Sequence, residues 1–203
     1  MNMNYVNEQY VILPYVLPIA KILKYVDLVV YVAIRSFNGH KGCFPAYETI
    51  AERIGMSRDF VMDAVKRLEA VQILGCERSK KLKKPNRYKF PRYPRFERIP
   101  YRFFSLKNRL TIHEMAIMLC LRHVLLGGEQ NISISGIADI LGLGYSPLYK
   151  MIKSLINKGY VDCKHGTLGK KYRFTKRFEW LYDYRARKKC SVKINDRSPI
   201  MVG

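Results

Sequence analysis

The sequence is short of acidic residues, with 16 Asp and Glu against 37 Lys and Arg in a chain of 203 residues. The formal net charge is therefore +21. An excess of this size predicts a polyanionic partner, with nucleic acid as the first candidate and an anionic membrane surface as the second. In other respects the composition, 48% hydrophobic and 26% charged, is typical of a folded globular protein.

Motifs for metal binding and catalysis are also missing. The five cysteines include no CxxC pair, and the four histidines include no HxH or HExxH spacing. The sequence has no GxxxxGKS or GxxxxGKT phosphate loop, no GxSxG nucleophile turn, and no paired histidines such as a rolling-circle nickase needs. We therefore expect no cofactor, no bound metal and no enzymatic activity. The scattered cysteines indicate buried thiols in a reducing cytosol.

Long apolar runs are absent as well. The longest one near the N-terminus extends from Leu28 to Ile34, far short of the roughly 20 residues that cross a bilayer. The segment from Met1 to Gln9 is polar and lacks the basic-then-apolar order of a signal peptide. These absences predict a cytoplasmic, nucleoid-associated protein of a bacterial cell, encoded by the host or by a phage.

The chain contains an internal repeat with an offset of 87 residues, as between Gly55 and Gly142. Other identities at this offset are Arg35 with Arg122, Ile50-Ala51 with Ile137-Ala138, Lys66 with Lys153, Leu68 with Leu155, and Cys76 with Cys163. A further similarity, at an offset of 86, relates residues 10–14 to residues 96–100. Two copies of one module therefore account for most of the chain.

Both copies have the same predicted order of elements. Helical spacing predicts first helices over 25–37 and 111–125, second helices over 47–54 and 135–141, and third helices that follow the N-caps Ser57 and Ser146. Hairpins follow, with strands over 73–78 and 87–90 and then over 160–164 and 171–175, the latter pair joined by a loop over 165–169. The predicted fold class is α+β, mostly α with small β-hairpins, in two tandem winged helix-turn-helix modules.

The predicted boundaries divide the chain into three parts. Residues 1–93 form the first winged-helix module with its N-terminal extended segment, and residues 94–176 form the second. Residues 177–203 hold a basic C-terminal helix, which begins near Lys176, and a disordered tail.

The excess positive charge lies outside the predicted helical bodies. Residues 1–77 hold 8 basic and 8 acidic residues, and residues 110–163 hold 4 of each. Residues 78–109 hold 13 basic and 1 acidic, and residues 164–203 hold 12 basic and 3 acidic. Each basic segment contains a hairpin, or wing, placed to neutralise DNA phosphates. The predicted wing and linker contacts are Lys80, Lys81, Lys83, Lys84, Arg87, His165, Lys170 and Lys171.

The third helix of each module is predicted to enter the major groove with its N-terminal part. Its core-facing residues should be Val61, Ala64, Val65 and Leu68 in one copy and Leu148, Met151, Ile152 and Leu155 in the other. The outward residues predicted to contact DNA are Ser57, Arg58, Met62, Lys66, Tyr145, Ser146, Tyr149, Lys150 and Lys153. Arg58 suits a guanine, and Tyr149 a thymine methyl group or a phosphate. Arg67 should also face outward, whereas Asp59 and Asp63 weaken the first helix because carboxylates repel phosphate.

The pattern resembles a known family at two levels. The stretch from Ile50 to Leu68 resembles the general bacterial and phage helix-turn-helix signature. Paired winged helices, each introduced by an extended segment that ends in proline (Leu13-Pro14 and Ile99-Pro100), resemble the plasmid and phage replication initiators. This resemblance implies binding of origin repeats by both modules and recruitment of host replication proteins.

Several functions stay open on the sequence alone. The first hypothesis is a sequence-specific binder of double-stranded DNA in replication initiation or transcriptional regulation, with host proteins and a homodimer as further partners. The alternative is a packaged viral or structural protein that coats nucleic acid without sequence preference. A protein-docking module and a membrane-surface protein fit the charge and the tail less well. The aromatic stretch from Tyr88 to Phe104 is either a packed ridge or a platform for single-stranded bases.

Overall fold

The computed structural model describes residues 9–14, 23–79, 85–125, 129–166 and 169–180. Strand β1 (Tyr10–Pro14) is followed by three helices, α1 (Asp27–Arg35), α2 (Tyr47–Ile54) and α3 (Arg58–Ala70). Strands β2 (Gly75–Glu77) and β3 (Arg87–Lys89) then pair as an antiparallel hairpin. The first half of the chain therefore has the predicted order of three helices and a hairpin.

The second half has the same order of elements. Strand β4 (Phe96–Pro100) and a 3₁₀ helix (Tyr101–Asn108) lead into α4 (Ile112–Val124), β5 (Gln130–Asn131), α5 (Ile134–Leu141) and α6 (Tyr145–Asn157). Strands β6 (Val161–Gly166) and β7 (Gly169–Phe174) form the second hairpin, and β5 adds to it as a third strand. Helices with small antiparallel sheets confirm the α+β class.

The second half contains a strand that the sequence analysis missed, and the first half contains its counterpart. Gln130 in β5 pairs with the buried Tyr172 of β7. In the first half Cys43 makes a single bridge with the buried Tyr88 of β3. Cys43 and Gln130 lie at the repeat offset, so the two halves share this contact although only one forms a full strand.

The two extended segments that precede the helices pair with each other. Strands β1 and β4 are antiparallel, and Tyr10 lies opposite Pro100 while Pro14 lies opposite Phe96. Tyr10 and Phe96 are equivalent residues of the repeat, as are Pro14 and Pro100. Exchanging the two halves therefore maps this pairing onto itself, which is the signature of a local pseudo-two-fold axis.

Contacts between the first helices agree with that axis. Helices α1 and α4 pack against each other, and the Tyr25 hydroxyl lies 2.6 Å from Nδ1 of His113. Tyr25 and His113 are 88 residues apart, close to the repeat offset. Residues at nearly equivalent positions of the two halves therefore meet, as expected beside a two-fold axis, where the buried helices α1 and α4 pack together.

The core is continuous across both halves. Every residue of α1 from Asp27 to Ile34 is buried, as is every residue of α4 from Glu114 to Arg122. The aromatic stretch after β3 packs into this core, where Phe103 contacts Phe178 and Trp180. The interpretation of that stretch as a packed ridge is therefore confirmed. None of the helices in the described ranges combines the length and apolar composition that a bilayer crossing needs.

Several predicted bounds were wrong. Helix α6 begins at Tyr145 after the N-cap Gly144, so Ser146 is not a cap. Strands β6 and β7 extend to Gly166 and back from Gly169, so His165, Gly166 and Gly169 of the predicted loop over 165–169 are paired strand, because the register continues from His165 opposite Lys170 to Gly166 opposite Gly169. Residues 176–180, where the basic helix was predicted to begin, form turns and irregular chain. The rest of that predicted helix and the tail lie outside the described residues.

Candidate nucleic-acid interface

Helices α2 and α3 form a tight helix-turn-helix. Gly55 ends α2 with φ of 70°, a left-handed conformation that glycine adopts without steric cost. Ser57 then caps α3, because its hydroxyl accepts a hydrogen bond from the backbone N–H of Phe60 at 3.2 Å. Burial of Val61, Ala64, Val65 and Leu68 confirms the predicted inner face of α3. Ser57 is therefore confirmed as the N-cap of α3. It lies at the N-terminal end of the helix, the end that is predicted to enter the major groove.

The cation at the start of α3 is already paired. Nε of Arg58 donates to Oε1 of Glu48 on α2 at 2.6 Å, and its Nη1 lies 3.8 Å from Asp59. A hydrogen bond with its own backbone amide lowers the pKa of Glu48, and the bond from Arg58 lowers it further. Glu48 is thus an anion at neutral pH, and it partly compensates the charge of Arg58.

A second cation of α3 is also paired with a carboxylate. Nζ of Lys66 donates to Oδ1 of Asp63 at 3.0 Å, and both side chains are exposed. Met62 is half-buried. Arg67 does not face outward as predicted, because its guanidinium is held by the buried Asp27 of α1. The exposed face of α3 therefore offers DNA cations that carry their own counterions.

Helices α5 and α6 form the equivalent pair in the second half. Gly142 ends α5 with φ of 63°, as Gly55 ends α2. Leu148, Ile152 and Leu155 are buried as predicted, whereas Met151 is only partly buried. Pro147 lies in the first turn, where its missing N–H removes no helical hydrogen bond.

The outer face of α6 differs in charge and chemistry from that of α3. Tyr145, Ser146, Tyr149, Lys150 and Lys153 are all exposed, as predicted. Helix α6 contains no Asp or Glu. The rings of Tyr145 and Tyr149 stack, with centroids 6.0 Å apart and planes inclined by 18°. This face combines exposed cations, which have no carboxylate partner among the described residues, with exposed aromatic surface.

Of the DNA contacts predicted for the first hairpin, only Arg87 lies within the described residues. Arg87 lies in β3, and its guanidinium lies 5.8 Å from the ring centroid of the exposed Phe44. Its neighbour Lys89 forms an ion pair with Glu77 on β2. Lys80, Lys81, Lys83 and Lys84 lie outside the described residues.

The second hairpin is anchored by aromatic burial and exposes basic residues near its turn. Tyr172 is buried, and burial raises the pKa of its hydroxyl. His165 lies opposite Lys170 in the register, and both are exposed. Lys164, which is not among the predicted contacts, is exposed as well. Lys171 lies 3.5 Å from Glu129, so part of its charge is compensated.

Two buried carboxylates fix the third helices, a role that the sequence pattern does not predict. Asp27 at the start of α1 binds Arg67 of α3. Glu114 at the start of α4 accepts hydrogen bonds from Ser154 and Lys158, at the end of α6 and just after it. Asp27 and Glu114 coincide at the repeat offset, as do Arg67 and Ser154. Among the described residues no three His, Cys, Asp or Glu side chains lie together as a metal site would require.

Comparison with known proteins identifies the first of these units. Residues 23–74 match the family described as a helix-turn-helix domain, a range that contains α1, α2 and α3. This part of the chain is a helix-turn-helix domain, which indicates DNA as its partner.

A similar solved structure is that of the DIP2311 protein from Corynebacterium diphtheriae, with 14% identity and a TM-score of 0.24 over 75% of this chain. The match covers 26% of that protein, so this chain spans about a quarter of its length. No curated protein sequence matches the chain.

Proposed function

We propose that the chain is a non-enzymatic, sequence-specific binder of double-stranded DNA with two winged helix-turn-helix units. It acts at a replication origin or a promoter of a phage or plasmid. The observation that carries the proposal is the outer face of α6, which is exposed, aromatic and basic and contains no acidic residue.

The second half supports the proposal because it duplicates the matched domain. The helix-turn-helix glycines Gly55 and Gly142 have nearly the same φ, 70° and 63°. Each half places a hairpin after its third helix and joins the hairpin to a preceding residue, Cys43 or Gln130. The function of the matched domain therefore extends to the second unit by internal equivalence.

The pseudo-two-fold axis defines the expected target. A two-fold axis between the halves relates α3 to α6 by a rotation of half a turn. The recognition helices in the two subunits of a dimeric repressor are related in the same way. The target is then a pair of half-sites in inverted orientation, bound by one chain. We expect the half-site under α6 to be the more strictly specified, because the cations of α3 are paired with Glu48, Asp59 and Asp63.

The test is a selection of bound duplexes from a random library by the full chain. The selected duplex and a scrambled version are then titrated across a range of salt concentrations. We expect one recovered motif that binds at least ~10³-fold more tightly than the scrambled duplex. Equal and steeply salt-dependent binding of both duplexes would contradict sequence specificity.

That second outcome supports the alternative of a nucleic-acid-coating protein. Its supporting observation is that the excess charge lies in residues 78–109 and 164–203, whereas the segments 1–77 and 110–163, which contain the third helices, are each balanced in charge. Such a protein gains affinity by releasing counterions from phosphates without contacting base edges.

The biological setting requires a separate experiment. A replication initiator is expected to open the duplex next to its site, which permanganate footprinting of unpaired thymines detects. A transcriptional regulator is expected to leave the duplex closed and to change transcription from an adjacent promoter. Host replication or transcription proteins and a second copy of the chain stay predicted partners, and a cytoplasmic location stays a prediction.

A further inference from the structure

We infer that Tyr145 and Tyr149 form a platform that recognises thymine methyl groups in the major groove. This inference rests on the proposed function, because it requires α6 to lie in the groove of duplex DNA. It assigns base specificity at the α6 half-site to apolar contacts of these two rings.

The first argument is the exposure of the two rings. Most large apolar side chains of the described residues are buried, and the exposed ones are Tyr10, Phe44, Ile140, Tyr145 and Tyr149. Tyr145 and Tyr149 are 51% and 39% exposed, and they are neighbours one helical turn apart. Removing apolar surface from water is favourable. Two adjacent exposed aromatic rings on an otherwise polar helix face therefore indicate a binding surface.

The second argument is the charge around the platform. Lys150 and Lys153 are exposed on the same helix, and α6 contains no carboxylate that would repel a phosphate. At the equivalent positions of α3 the chain has Arg58 and Met62 in place of the tyrosines and Asp63 in place of Lys150. The aromatic and basic character therefore belongs to α6 alone and complements a polyanion with apolar groups in its groove.

The third argument is the chemistry of the bases. Thymine is the base that presents a methyl group in the major groove, whereas the other bases present hydrogen-bond donors and acceptors there. The two ring centroids are 6.0 Å apart, between one and two base steps of about 3.4 Å each. Two thymines in one short run can therefore contact the platform together.

The test uses the full chain and the duplex recovered by selection, with each thymine replaced in turn by deoxyuridine. This change removes the methyl group and leaves base pairing intact. We expect replacement at one or two neighbouring positions of one half-site to weaken binding by about fourfold each, the effect of losing one buried methyl group. Replacements elsewhere in the site should have little effect.

Variants connect that effect to the two rings. Tyr145→Ala and Tyr149→Ala should bind the thymine and deoxyuridine duplexes equally, whereas Tyr149→Phe should keep the difference because it keeps the ring. Met62→Ala, at the position of α3 equivalent to Tyr149, is the matched control and should also keep the difference. Far-ultraviolet circular dichroism checks that each variant is folded.

The outcomes separate this inference from the proposed function. A selected site that binds specifically but tolerates deoxyuridine everywhere would overturn the thymine platform and leave the proposed function intact. The absence of any selected site would overturn the proposed function itself. Tighter binding of single-stranded than of duplex DNA, lost in the Tyr→Ala variants, would replace methyl recognition by stacking on unpaired bases.

Discussion

Arg67 of α3 donates two hydrogen bonds to the carboxylate of Asp27 at the start of α1, from Nε and Nη2, and both are 2.8 Å long. Asp27 is fully buried, and it also accepts the backbone N–H of Lys24 at 2.9 Å. The hydrogen bonds to Asp27 raise the pKa of the Arg67 guanidinium. This pair ties α3 to the buried helix α1, so it sets the orientation of the face that α3 presents to a partner.

We expect Arg67→Ala to destabilise the protein by about 3–5 kcal/mol, because it leaves a buried carboxylate without its counter-charge. Urea denaturation at neutral pH measures the loss. The control is Lys66→Ala on the same helix, which removes an exposed ion pair and should change the free energy of unfolding by less than about 1 kcal/mol. Similar values for the two variants would show that the Asp27–Arg67 pair does not anchor α3.

The equivalent anchor in the second half predicts a dependence of stability on pH. Burial raises the pKa of Glu114, but hydrogen bonds from Lys158, Ser154 and Thr111 outweigh it, and the net shift is downward from 4.5. A carboxyl with a lowered folded-state pKa stabilises the protein above its unfolded-state pKa and loses this contribution as the pH falls through the folded-state value.

We therefore expect Glu114→Gln to lower the free energy of unfolding by about 2 kcal/mol at pH 7 and to flatten its decline below about pH 4.5. Denaturation from pH 3 to pH 7 measures both effects. Asp139→Asn, on the exposed surface of α5, is the control and should leave the profile unchanged. A Glu114→Gln profile parallel to that of the native protein would contradict the assignment.

Lys66 and Lys153 occupy equivalent positions, and they should differ in their contribution to DNA affinity. Lys66 is paired with Asp63, whereas the residue equivalent to Asp63 is Lys150. We expect Lys153→Ala to reduce the slope of log K against log salt by about 0.9, the value for one phosphate contact, and Lys66→Ala to reduce it by less. Fluorescence anisotropy with the selected duplex measures the slopes, and a larger change for Lys66→Ala would reverse the proposed roles of α3 and α6.

Glu48 should restrain DNA binding by the first unit. Its carboxylate holds Arg58 at 2.6 Å and would repel a phosphate at the same end of α3. Glu48→Gln should therefore raise duplex affinity by about twofold to fivefold at low salt, the Coulomb energy of one exposed charge pair. Measured against Arg58→Ala alone, the gain should be smaller in the double variant Glu48→Gln with Arg58→Ala, because only the direct repulsion between Glu48 and the phosphate is then removed. Unchanged affinity on titration would place Arg58 away from the phosphates.

Much of the fold was predictable because it depends on local patterns. The bounds of α2 and the inner face of α3 followed from apolar spacing and from the Gly55 and Ser57 signals. The start of α6 was missed because Ser146 and Pro147 imitate an N-cap and its first residue. Strand β5 was missed because a two-residue strand has no period of its own and exists only through pairing with β7.

The candidate site was predictable as a set of outward residues but not as a set of available charges. Periodicity alone placed Lys66 and Lys153 on outer faces. It could not show that Arg58 pairs with Glu48 across the turn or that Arg67 reaches the buried Asp27, because these partners are 10 and 40 residues apart. The stack of Tyr145 on Tyr149 needed the side-chain conformations as well as their spacing.

The sequence by itself determined the repeat, the order of helices and hairpins, and the location of the excess positive charge, because spacing, turn residues and composition are properties of the chain. The tertiary structure decided how the halves meet and which cations of the third helices are paired with carboxylates. The pairing of β1 with β4 creates the pseudo-two-fold axis, and the carboxylates of Asp27 and Glu114 hold the third helices. Such contacts join residues distant in sequence, and only folding brings their charges within hydrogen-bond distance.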